Sequence, residues 1–116
     1  NNITIGALTT VHQFCKLGDY CFVGMNTSIN MDIPAFVKVA ADPARVIGLN
    51  SIGMKRNNIS DVSLSMIKKS YKLVYRRGLK LEAAIKKVKE LNNDIDDPYV
   101  NIFISSIQES ERGILR

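Results

Sequence analysis

The chain has no tryptophan, one histidine, two cysteines and three prolines among its 116 residues, and only 7% of them are aromatic. A core so poor in rings is built from aliphatic layers. At this length, with 46% hydrophobic residues, the expectation is one small repeat domain with an appendage. Zinc sites draw on closely spaced ligand pairs, whereas Cys15 and Cys21 stand six residues apart with His12 as the only imidazole, so no metal and no cofactor is expected. The two thiols read as small and reduced, which points to a reducing compartment. No apolar run approaches the roughly 20 residues that span a bilayer, and no signal-peptide pattern opens the chain; a cytoplasmic protein without a membrane span is expected. The net charge of +5 suits an anionic partner, but neither an arginine-rich run nor a base-stacking aromatic motif accompanies it, so nucleic acid is not expected.

What the chain does have is a period of six. Ile5, Val11, Leu17, Val23 and Ile29 recur at that interval, and Gly6, Gly18 and Gly24 directly follow three of them. A strand alternates every two residues and a helix near every 3.6, so a sustained hexad requires a chain that turns a corner after each short strand. The spacing therefore predicts a parallel β-helix, with one aliphatic side chain per hexad pointing into a narrow prism and glycine or another small residue accepting the tight corner. The sequence opens at Asn1 without methionine and already in phase with the repeat, as the later part of a longer chain would. Fewer than two full coils bury little surface and leave an open strand edge, so a three-fold oligomer is expected.

The period fails through residues 30–34, and Phe36, Val37 and Val39 then resume an extended, alternating pattern. Asp42, Pro43 and Ala44 break it again. The predicted organisation is terminal β-helix coils over residues 1–44, a connector over 45–59, and an α-helical domain over 60–116. In the last of these, Ser60 caps a helix carrying Leu64, Ile67, Tyr71 and Val74 that should stop at Gly78. A second helix reads through Leu81, Ala84, Ile85, Val88 and Leu91. A third starts at Asp97-Pro98 and carries Val100, Phe103, Ile104 and Ile107.

Val11-His12-Gln13-Phe14-Cys15, Asp32-Ile33-Pro34-Ala35-Phe36, Gly48-Leu49-Asn50 through Gly53-Met54-Lys55-Arg56, Tyr71-Lys72-Leu73-Val74-Tyr75-Arg76 and Ser110-Glu111-Arg112-Gly113-Ile114-Leu115-Arg116 occur in this order. Together they resemble the C-terminal part of the UDP-N-acetylglucosamine 3-O-acyltransferase family, across essentially the whole chain. The resemblance implies a cytoplasmic homotrimer with a left-handed β-helix of hexapeptide repeats and a C-terminal three-helix domain. It implies transfer of a 3-hydroxyacyl group from acyl carrier protein to the 3-hydroxyl of UDP-N-acetylglucosamine, at the start of lipid A synthesis. By the same resemblance the catalytic base belongs to an earlier coil, before residue 1, and His12 supports activity without being that base; the 116 residues alone are expected to be inactive. Gln13 matches a substrate-contacting glutamine, Asn50 and Arg56 match nucleotide-holding positions, and Met25 falls where the family gauges acyl length. Ile52 and Asn57 depart from the family, standing where many members carry a glutamate and a second arginine.

Each of these residues has a plainer reading. His12 and Gln13 suit a polar outer surface, Lys55 and Arg56 solvated connector charges, and Met25 packing between subunits. Lys68, Lys72 and Arg76, four apart, form a basic stripe that is either a solvated face or the dock for the acidic carrier protein. Two other functions fit the hexads: a hexapeptide transferase using another donor or sugar, and a non-catalytic trimeric binding or assembly module.

Overall fold

A computed structural model describes residues 2–116. Two-residue strands, β1 (Thr4–Ile5), β2 (Thr10–Val11), β3 (Phe22–Val23) and β4 (Ser28–Ile29), are followed by β5 (Val37–Ala40) and β6 (Arg45–Leu49). β1 pairs in parallel with β3, Thr4 beside Phe22, and β2 with β4, Thr10 beside Ser28. Each partner is thus three hexads further along, the step of a coil that turns three corners per revolution. The next step is shorter. Phe22 pairs with Lys38 and Leu17 bridges Ile33, so the following revolution is two residues short. Ile33 takes the inward place four residues after Ile29, which is why the period breaks there.

The corners are not made as expected. Left-handed φ falls on Asn2, Leu8, Phe14, Tyr20 and Asn26, again every six residues, and then on Phe36. Three of those five are large side chains; asparagine alone among them tolerates this region well. Gly6 and Gly18 serve close approach instead. A Cβ on Gly6 would lie 2.4 Å from the Met25 backbone nitrogen, and one on Gly18 would lie 2.3 Å from that of Ala35. Glycine at these places lets successive coils stack, while the turn itself is carried two residues later. Tyr20 and Phe36, corners of successive coils, stack with ring centroids 5.5 Å apart and planes 8° off parallel, a geometry that rewards the ordered corners.

Val23 and Ile29 are fully buried, as their inward hexad place requires, but Ile5 in the first coil is 50% exposed and Val11 is exposed too. The stretch expected as a connector is structured. β6 turns back antiparallel against β5, and Ser51–Arg56 forms a short helix, α1. The helices α2 (Asp61–Tyr75), α3 (Leu81–Asn92) and α4 (Pro98–Gln108) follow. α2 starts on the Ser60 cap but ends at Tyr75, capped by Arg76, rather than running to Gly78. Asp97 caps α4 by accepting from the Tyr99 and Val100 amides, with Pro98 in the first turn. Val74, Val88, Val100 and Phe103 seal the helices to one another. Residues 110–115 then lie along the coil, with Asp32 bridging Ile114 in parallel. Among the described residues no helix is long and apolar enough to cross a membrane, and no three metal-ligating side chains cluster.

Candidate substrate-binding site

The expected site residues lie at different corners of the coil. His12 and Gln13 precede the Phe14 corner, Met25 precedes the Asn26 corner, and Asn50 reaches the Tyr20 corner. His12 and Gln13 are exposed; the imidazole Nδ1 lies 3.2 Å from the Gln13 carbonyl, which also accepts from Arg112 at 3.3 Å. Met25 is 71% exposed.

Asn50 is different. It is 7% exposed, and its amide is engaged at both ends, Oδ1 accepting from the Gly53 N–H at 3.1 Å and Nδ2 donating to the Tyr20 carbonyl at 2.9 Å. It starts α1. From that helix Arg56 projects into solvent, one turn beyond Ile52, which is 64% exposed. No acid stands in the first turn of α1, while Lys55 and Arg56 occupy the last, where the helix dipole favours cations. Asn57 does not substitute for a second arginine, because it caps this end by donating from Nδ2 to the Gly53 carbonyl at 2.8 Å.

The basic stripe and the start of α1 do come together. Gly48, Leu49 and Ser51 share a cavity of about 650 Å³ with Lys68, Tyr71, Lys72, Arg76 and Arg77. Tyr71 and Arg77 were not among the expected site residues. Tyr71 has the spacing of a core position on α2, and it is buried, yet the Arg76 guanidinium sits 5.8 Å from its ring centre, a cation–π contact that holds the charge at the cavity wall. The repeated arginine was the available signal for Arg77. Four cations around one recess suit an anion of extended charge, phosphates or clustered carboxylates.

The thiols are remote from such chemistry. Burial pushes Cys21 up to about 12, so it stays protonated; burial likewise raises Cys15, partly opposed by Arg112. Neither is disulfide-bonded.

Residues 32–115 match the family model described as UDP N-acetylglucosamine O-acyltransferase, domain 2. The chain belongs to the UDP-N-acetylglucosamine O-acyltransferase family. An acyl-[acyl-carrier-protein]–UDP-N-acetylglucosamine O-acyltransferase of Pseudomonas putida is 43% identical over 97% of this chain and 43% of its own length. The UDP-N-acetylglucosamine O-acyltransferase of Moraxella catarrhalis superposes with a TM-score of 0.93 at 35% identity, over all of this chain and 44% of its own. The corresponding enzyme of Acinetobacter baumannii gives 0.92 at 33%, over all of this chain and 45% of its own. The chain thus spans less than half the length of the relatives it matches. In family terms, the matched region takes in the cavity, α1 and every helix, and leaves His12, Gln13 and Met25 outside the family model's span.

Proposed function

We propose that the chain is the nucleotide-binding and carrier-docking part of an acyltransferase that moves a 3-hydroxyacyl group from acyl carrier protein to the 3-hydroxyl of UDP-N-acetylglucosamine, the first step of lipid A synthesis. The observation that carries this reading, beyond family membership, is the recess that joins the start of α1 to Lys68, Lys72, Arg76 and Arg77. Arg56 takes the diphosphate through its forked donors, and Gln13 offers an amide to the sugar. The transfer also demands a base for the sugar hydroxyl and donors for the oxyanion of the thioester intermediate. His12, exposed with its Nδ1 3.2 Å from the Gln13 carbonyl, supports that chemistry and leaves the base to a part of the polypeptide outside these 116 residues.

The working form is a cytoplasmic homotrimer of left-handed β-helices. Three site groups at three corners of one prism support it, since a neighbouring subunit would bring one corner against another, and two of the edges carry exposed apolar surface, Leu8 and Met25 on the one and Phe14 on the other.

The assay is acyl transfer by the complete polypeptide with matched 3-hydroxyacyl thioesters of carrier protein and of coenzyme A. Turnover with the carrier thioester is expected to dominate. Charge reversal at Lys68, Lys72 and Arg76 raises the KM for the carrier substrate about tenfold at low ionic strength, with the gap closing as salt screens the pair. An unchanged KM would return the stripe to a solvated face, and equal use of coenzyme A would shift the reading to another hexapeptide transferase.

Met25 presents a long side chain at the corner where acyl length is read, so the enzyme should prefer the shorter hydroxyacyl chains. Met25→Gly is expected to move the preference toward longer chains, each added methylene in a matched slot being worth about 0.8 kcal/mol. Identical chain-length profiles for both proteins would remove Met25 from the gauge.

A further inference from the structure

Asn50 is bound on every side. Its backbone N–H donates to the Phe36 carbonyl at 2.8 Å and its carbonyl accepts from Met54 at 3.0 Å, while the side chain joins Tyr20 to Gly53. Tyr20 and Phe36 are the stacked, left-handed corners of successive coils. One buried residue therefore staples two corners and opens the helix that presents Arg56.

α1 has only six residues, with glycine inside it, and a helix that short has little stability of its own. Its direction has to be imposed from outside. The tightness of the arrangement is visible at Gly53, where an added Cβ would lie 2.3 Å from Asn50 Nδ2 and 2.8 Å from Cγ.

We propose that Asn50 is a positioning residue, which fixes α1 on the coil so that Arg56 meets the diphosphate of a nucleotide sugar, and does not itself spend its amide on the ligand. This rests on the reading of Arg56 as a nucleotide-binding residue.

The test is calorimetric titration of UDP-N-acetylglucosamine into the complete polypeptide, with steady-state kinetics alongside. Asn50→Asp keeps Oδ1 as the cap of α1 but sets an oxygen against the Tyr20 carbonyl. It is expected to weaken nucleotide-sugar binding about tenfold and to raise KM while kcat at saturation stays within about twofold. Arg56→Ala should cost at least as much. The Asn50→Asp, Arg56→Ala double variant should bind no more than about twofold weaker than Arg56→Ala alone, because the staple acts through the arginine. Gly53→Ala, which displaces the amide with Asn50 still present, should reproduce the Asn50→Asp loss and guards against a variant that fails to fold.

Losses that multiply in the double variant would mean that Asn50 touches the ligand directly and would overturn the proposal. So would unchanged binding by Asn50→Asp and Gly53→Ala. If Arg56→Ala binds normally, the nucleotide site itself lies elsewhere, a result distinct from either of these.

Discussion

Gly18→Ala is expected to destabilise the folded chain by about 3 kcal/mol, a large cost for one methyl group. The new Cβ would lie 2.3 Å from the backbone nitrogen of Ala35, 2.7 Å from its Cα and 2.7 Å from the Pro34 carbonyl carbon. None of these atoms can rotate away. The Ala35 N–H also donates to Ser106 Oγ of α4 at 2.9 Å, and Gly18 N–H donates to the Ile33 carbonyl at 2.8 Å. Separating the coils would therefore stretch the ladder and the seam between coil and helices together. Gly24→Ala is the matched control, because there the nearest atom is the Ala40 methyl at 3.3 Å. Small shifts can relieve that contact, and the lower entropy of an unfolded alanine offsets part of the cost, so a change within about 1 kcal/mol is expected. Denaturant midpoints at fixed protein concentration compare the two. Equal midpoints would mean that the coils yield at Gly18, contrary to the close-stacking role given to it.

The same glycines show what the sequence could and could not disclose. Their period of six, with that of the inward aliphatics, announced a three-cornered parallel coil, because no helix or flat strand produces it. Their role was another matter. Gly6 and Gly18 looked like corner residues, but the left-handed backbone falls two places later, on Leu8 and Tyr20. Large residues normally avoid that region at a cost of about 1–2 kcal/mol. They adopt it here because the stacked coil fixes the corner and contacts such as Tyr20 on Phe36 form only when it is turned. That compensation is tertiary, so no local pattern carries it.

The 45–59 stretch was obscured for a related reason. β6 contains Gly48 and pairs with β5 across an irregular register, and α1 contains Gly53 in six residues. Neither has the length or propensity to declare itself, and each exists because β5 and the coil corners hold it. α2 to α4 were legible because their apolar faces repeat over 11 to 15 residues, and α2 and α4 also announce themselves by the side-chain caps Ser60 and Asp97, which α3 lacks. Among the site residues, Arg56 and the stripe could be named in advance as cations. That Asn50 is committed to Tyr20, thirty residues earlier, required the fold.

Asp32→Ala is expected to cost about 3 kcal/mol and to release the C-terminal segment from the coil. The Asp32 carboxylate, 2% exposed, accepts from the Lys16 N–H at 2.8 Å and from Ser110 Oγ at 2.6 Å. Its backbone donates to the Gly113 carbonyl at 3.0 Å and accepts from the Leu115 N–H at 2.8 Å. The residue thus joins the irregular revolution to the strap that crosses it, and alanine would leave the Lys16 amide without its acceptor. Beyond Asp32 the strap is fastened to α2 and the loop after it, where Tyr75 Oη donates to the Leu115 carbonyl at 2.7 Å and the Arg116 guanidinium donates to the carbonyls of Val74 in α2 and Leu79 in the loop. These far anchors are independent of the carboxylate, so the damage should be graded. Amide exchange should accelerate first at Lys16, Gly113 and Leu115 and only weakly within α2. Asp32→Asn, which keeps one acceptor oxygen, should lose about half as much stability as alanine. Native protection at Leu115 in the alanine variant would show that the α2 anchors alone hold the strap, and the carboxylate would then have no special part in closing the coil.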